Sequence, residues 1–102
     1  MWIEDLDALS LSDDEGGCLE ELGRTTLAEG PWSTVAYLVR TRPHDEAPWE
    51  GPLLWVHRYQ RVREGWKLVS RFRCTEAQQT LRLARWLADL LRTENGMGQG
   101  EA

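Results

Sequence analysis

The chain has 102 residues and a mass of 11.8 kDa, enough for one domain with one modest core. Its 41% apolar and 28% charged content is that of a globular protein, and no run of about 18 apolar residues is present to span a bilayer. The net charge of −5 hides a segregation. All twelve Lys and Arg lie between Arg24 and Arg92, where they meet seven acids for a net +5, whereas residues 1–23 hold eight acids and no base. This is a basic body with an acidic arm, so a pI near 5 does not exclude a polyanionic partner.

Residues 1–21 form that arm, expected to be partly disordered and, lacking a basic n-region, not a secretory signal. Within it Trp2, Ile3, Leu6, Leu9 and Leu11 alternate with acids, the pattern of a segment that folds on a partner. Residues 2–11 are thus a candidate dock for another protein. They are equally able to fold back over the basic body and compete with its ligand. Cys18 and Cys74 stand far apart with no CxxC spacing, which argues against a disulfide scaffold and for a reducing, cytoplasmic setting.

The body is expected over 22–92 as an α+β domain, an antiparallel sheet followed by one long C-terminal helix. Leu22–Ala28 is a candidate strand, with a helix across Cys18–Leu22 as a further expectation. Ser33–Arg42 is rich in β-formers and bounded by Gly30-Pro31 and Pro43, and the stretch from Pro43 to Pro52, with three prolines, is expected to be a loop. Leu53–Val62 and Trp66–Thr75 read as a hairpin around a three-residue turn, Arg63-Glu64-Gly65, with glycine at the left-handed position. Thr75 and Gln78 make a capping box for a helix over Glu76–Arg92. Its apolar arc (Ala77, Leu81, Ala84, Leu87, Ala88, Leu91, widened by Leu83, Trp86 and Leu90) spans roughly 220°, more than one sheet covers. A second copy meeting Leu83, Trp86 and Leu90 supplies the missing surface, as would the segment around Trp2, Ile3 and Leu6. Three glycines in Asn95–Gly100 make residues 93–102 an expected disordered tail.

A turn over 63–65 pairs Val62 with Trp66, Gln60 with Leu68, Arg58 with Ser70 and Val56 with Phe72. One face then gathers Leu54, Val56, Val62, Trp66, Leu68, Phe72 and Cys74 and is expected to meet the helix. The other gathers Trp55, His57, Tyr59, Arg61, Lys67, Val69, Arg71 and Arg73, with Arg40 and Arg42 of the preceding strand beside it. Like charges facing one another are unfavourable unless an anion lies between them. Exposed aromatics among arginines suit single-stranded nucleic acid, bases stacking on Trp55 and Tyr59 while Arg40, Arg42, Arg61, Lys67, Arg71 and Arg73 track phosphates. Set against this, the same residues make a solvated face on which Trp55 and Arg73 form a local cation–π pair, or a docking face for another protein.

No nucleophile elbow, zinc-protease, phosphate-loop or dinucleotide motif occurs. His44 beside Asp45 and Glu46 matches no usual ligand spacing, Cys18, Cys74, His44 and His57 come from distant elements, and the arm's paired acids lack a fixed geometry. Neither an enzyme, a metal nor a cofactor is expected. The function expected is non-catalytic binding of single-stranded nucleic acid, DNA favoured, in an accessory role to transcription or replication. A protein-interaction adaptor or chaperone-like subunit is the alternative.

Ser33–Arg42 (STVAYLVRTR), Gly51–Val62 (GPLLWVHRYQRV) and Trp66–Leu91 (WKLVSRFRCTEAQQTLRLARWLADLL) together resemble, in pattern, the positive cofactor four family of transcriptional coactivators and its whirly-like relatives. The resemblance implies a homodimer joined by its helices, curved sheets that bind single-stranded DNA, and an acidic, serine-containing arm (Ser10–Glu15) that modulates binding. Trp66–Arg73 departs from the family's Gly-Lys-rich stretch.

Overall fold

A computed structural model describes residues 3–13 and 16–101, the last eight as backbone only. Four strands, β1 (Cys18–Ala28), β2 (Trp32–Arg42), β3 (Glu50–Val62) and β4 (Gly65–Arg73), form one antiparallel meander in chain order, and α1 (Ala77–Glu101) follows. The α+β class is the one expected. β1 takes up Cys18–Leu22 as strand, and β3 begins at Glu50, within the stretch expected to be loop. α1 runs through Asn95–Gly100 to Glu101.

Burial on β2 alternates strictly, with Ser33, Val35, Tyr37 and Val39 turned to one side. Leu53, Trp55, His57 and Tyr59 of β3 join them on the same side, and this is the core. What covers it is segment 3–13: Ile3, Leu6, Leu9 and Leu11 pack on the cluster together with Leu19 and Trp66. Ile3 exchanges both backbone bonds with Trp66 (2.9 and 2.6 Å). The Arg24 guanidinium, gripped by Glu21 at 2.6 Å, donates to the carbonyls of Leu6 (3.0 Å) and Leu9 (2.7 Å). The described part of the arm is therefore a second layer of the fold, placed on the sheet face away from Leu54 and Phe72.

Two expectations change with that placement. The hairpin turn has two residues, Arg63 and Glu64, because Val62 pairs with Gly65 and Arg61 with Trp66. This slips Trp66 and Leu68 onto the Trp55 face and Lys67 off it, until a bulge at Val69 restores the expected Arg58–Ser70 and Val56–Phe72 pairs. Gly65 is required here twice over: its φ is +142°, and an added Cβ would collide with the Ile3 carbonyl oxygen.

Secondly, Leu54, Val56 and Phe72 do not meet a covering helix. Helix α1 packs chiefly against β3 near its own start, where Glu50 accepts from the Ala77 N–H (2.8 Å) and buried Thr80 accepts from the Leu54 N–H (2.9 Å). Gln79 rather than Gln78 reaches back to Thr75, accepting from its N–H at 2.7 Å. Anchored by one turn at the strand's end, α1 runs out from the sheet, and the molecule measures 49 × 41 × 18 Å, one sheet and a strap thick.

Candidate nucleic-acid interface

The predicted stackers lie on one face, as their alternation requires, but they are not open to solvent. Trp55 is 6% exposed, His57 2% and Tyr59 1%, because the acidic segment lies above them. Arg73 lies over the Trp55 ring (3.8 Å to the centroid), the cation–π pair foreseen from the register. Arg71 pairs opposite His57, and Arg61 lies over Trp66 at 5.2 Å.

A hydrogen-bonded chain runs beneath the segment. Arg73 Nε donates to His57 Nε2 (3.1 Å), and arginine has no acceptor to offer in return. His57 must therefore carry its proton on Nδ1 and donate it to the Tyr59 hydroxyl oxygen (3.1 Å). The Tyr59 O–H then turns to the Tyr37 oxygen at 2.8 Å. Burial, then the bond with Tyr37, holds the Tyr59 hydroxyl far above the ordinary tyrosine range, and burial likewise raises Tyr37. The Arg24 guanidinium, held chiefly by its bond with Glu21, is pushed further up and lies 5.0 Å from the Tyr37 ring centroid. These groups are fixed in charge at neutral pH: cationic arginines at the margins, neutral phenols within.

The remaining predicted contacts sit on the reverse face. Arg40 and Arg42 both lie over the Trp49 ring (4.4 and 4.2 Å), with Arg40 paired to Glu20 at 2.9 Å, and Lys67 sits opposite Gln60. Arg58 lies over Trp32 at 4.4 Å. The structure thus gathers Trp55, Tyr59, Arg61, Arg71 and Arg73 and separates Arg40, Arg42 and Lys67 from them. It adds Arg24, Tyr37 and Trp66, which the sequence reading missed. Tyr37 was legible from its alternation with Val35 and Val39, Trp66 only with the correct turn length, and Arg24 carried no signal. Of the predicted dimer residues, Leu83 is half-buried against its own chain while Trp86 (59%) and Leu90 (46%) are exposed.

Cys18 donates to Asp45 (3.1 Å), and His44 accepts from the Glu46 N–H (3.3 Å); among the described residues no three metal-ligating side chains converge. No helix among them is long and apolar enough to cross a membrane. Comparison with family models, curated proteins and solved structures returned no match.

Proposed function

We propose that the protein is a non-catalytic binder of single-stranded nucleic acid, DNA in preference, whose platform is the sheet face bearing Trp55 and Tyr59. One observation supports the reading above others. Glu4, Asp5, Asp7 and Asp13 belong to a segment laid across a face built of Tyr37, Trp55, His57, Tyr59 and Trp66 and bordered by Arg24, Arg61, Arg71 and Arg73. Acid over a basic–aromatic face is the arrangement a polyanion would replace. An entering strand exchanges carboxylates for phosphates and leucines for bases, and stacking supplies about 1–3 kcal/mol per base. Segment 3–13 is the competitor that such a ligand displaces. Arg61, Arg71 and Arg73 are the phosphate contacts in this reading, and Arg40, Arg42 and Lys67 lie outside the platform.

The active form in this reading is a homodimer. Phe72, with Leu81, Trp86, Leu87, Leu90 and Leu91 of α1, leaves large apolar side chains exposed, and a second copy presents a match for them. The resemblance to positive cofactor four supports both the dimer and the ligand. The same exposed leucines favour the second reading, a protein adaptor.

Anisotropy of a labelled mixed-sequence DNA strand of about 20 nucleotides, titrated at two salt concentrations, tests the assignment. Asp5→Asn, Asp7→Asn and Asp13→Asn together should tighten binding. Arg61→Gln and Arg71→Gln should each lower the salt slope by about one. Failure of both the full chain and the triple variant to bind at either salt would discard the nucleic-acid reading in favour of the adaptor.

A further inference from the structure

Segment 3–13 lies on one face of the sheet, and the reverse face has a layout of its own. Register sets Gly23 and Thr25 of β1 beside Ala36 and Leu38 of β2, and these beside Leu54 and Val56 of β3. At either end of this floor an arginine lies over a tryptophan. Arg58, itself exposed, is 4.4 Å from the centroid of Trp32, which is 40% exposed. Arg42 is 4.2 Å from the centroid of Trp49, which Arg40 also approaches. The two stacks stand at opposite ends of the 11-residue strand β2, about 30 Å apart along it.

Stacking on a ring fixes the plane of a guanidinium but uses none of its N–H donors. Glu20 is taken by Arg40 and Asp45 by the Cys18 thiol, and among the described residues neither Arg42 nor Arg58 has a carboxylate partner. The Arg42 Nε is buried without an acceptor, so the ring holds that group where a hydrogen bond does not. Between the stacks a cavity of about 260 Å³ opens on Gly23, Thr25, Ala36, Leu38 and Leu54. It is open at Gly23, where nothing lies within 4 Å of an added Cβ.

We propose that this reverse face is a second contact surface for single-stranded nucleic acid, one that works with segment 3–13 in place. Phosphates lie against the N–H edges of Arg42 and Arg58, and an unpaired base between them enters the apolar cavity. Neighbouring bases stack on the guanidinium planes and on exposed Trp32. A duplex keeps its bases paired and has none to insert. This surface rests on the ligand class proposed above, but it shares no residue with the platform under segment 3–13, so variants tell the two apart.

The test is anisotropy of a labelled oligothymidylate of about ten nucleotides, titrated with the full chain at two salt concentrations. Arg42→Gln and Arg58→Gln together should weaken binding at least tenfold and lower the salt slope by about one to two, with unchanged circular dichroism. Gly23→Val, whose added Cβ meets no neighbour, fills the cavity and should weaken binding about two- to fivefold. A chain carrying Arg61→Gln and Arg71→Gln should still bind, with the amides of residues 3–11 protected from exchange. A duplex of the same length should bind at least tenfold more weakly. Loss on Arg61→Gln and Arg71→Gln with no effect of Arg42→Gln, Arg58→Gln or Gly23→Val would overturn this surface and leave the covered platform standing. Equal binding of the duplex would also overturn it. So would a Trp32 indole N–H signal that shifts with protein concentration alone, which would assign the face to a second copy.

Discussion

Replacing Tyr59 with Phe takes away one oxygen and breaks two buried hydrogen bonds. In the native chain that hydroxyl accepts from His57 at 3.1 Å and donates to Tyr37 at 2.8 Å, with both partners at most 2% exposed. A buried polar group deprived of its partner costs about 1–3 kcal/mol, so the substitution should destabilise by about 2–4 kcal/mol. For a domain of this size that lowers Tm by about 10–20 °C. Tyr37→Phe breaks only the final bond and leaves the His57–Tyr59 pair, so it should destabilise by about 1 kcal/mol. Urea unfolding followed by circular dichroism compares the two. Equal effects, or a Tyr59→Phe loss under about 0.5 kcal/mol, would refute the directional chain from Arg73 to Tyr37.

The same pair sets an alkaline limit. These are the only two tyrosines in the sequence, so the tyrosinate difference absorbance, taken over the tryptophan baseline, reports this pair alone. Both phenols are raised in the fold, chiefly by burial, so the folded chain holds their protons more tightly than the unfolded chain does. The stability this confers is complete below about pH 10, where unfolded tyrosine titrates, and is lost as pH climbs beyond it. Absorbance near 295 nm should therefore rise only with unfolding. A reversible rise centred near pH 10 with unchanged circular dichroism would show the phenols to be accessible.

Three further outcomes follow from the way the segment and the helix are held. Arg24→Gln removes the donors to Leu6 and Leu9, so amides of residues 3–11 should exchange at least tenfold faster while β2 and β3 stay protected; unchanged exchange would mean that the leucines alone hold the segment. Gly65→Ala places a methyl group against the Ile3 carbonyl in a backbone conformation alanine resists, and should destabilise by about 1–3 kcal/mol; a neutral result by urea unfolding would exclude that close approach. Glu50→Ala uncaps the first turn of α1 and should lower stability by about 0.5–2 kcal/mol, an effect that Glu50→Gln partly restores if hydrogen bonding rather than charge is responsible.

From residue order alone came β2, the β3–β4 hairpin with its pairs at Ser70 and Phe72, and the C-terminal helix. Alternation through Val35, Tyr37 and Val39, the Arg63–Gly65 turn signal and the uninterrupted run from Glu76 to Arg92 are local properties, and local physics places strands, hairpin and helix. It also sorted Trp55, His57, Tyr59, Arg71 and Arg73 onto one face, because side chains alternate whatever lies above them. Which face became the interior was not a local property. Both faces are apolar enough to be buried, and the choice fell to segment 3–13, whose leucines cover Trp55 and Tyr59 while Arg24 fixes its carbonyls. Turn length was equally beyond reach, since a two-residue turn followed by a bulge at Val69 and a three-residue turn without one give the same pairs at Ser70 and Phe72. The long-range contacts of Glu50 with Ala77 and Thr80 with Leu54 tie the first turn of α1 to β3, and no periodicity within the helix encodes that anchor.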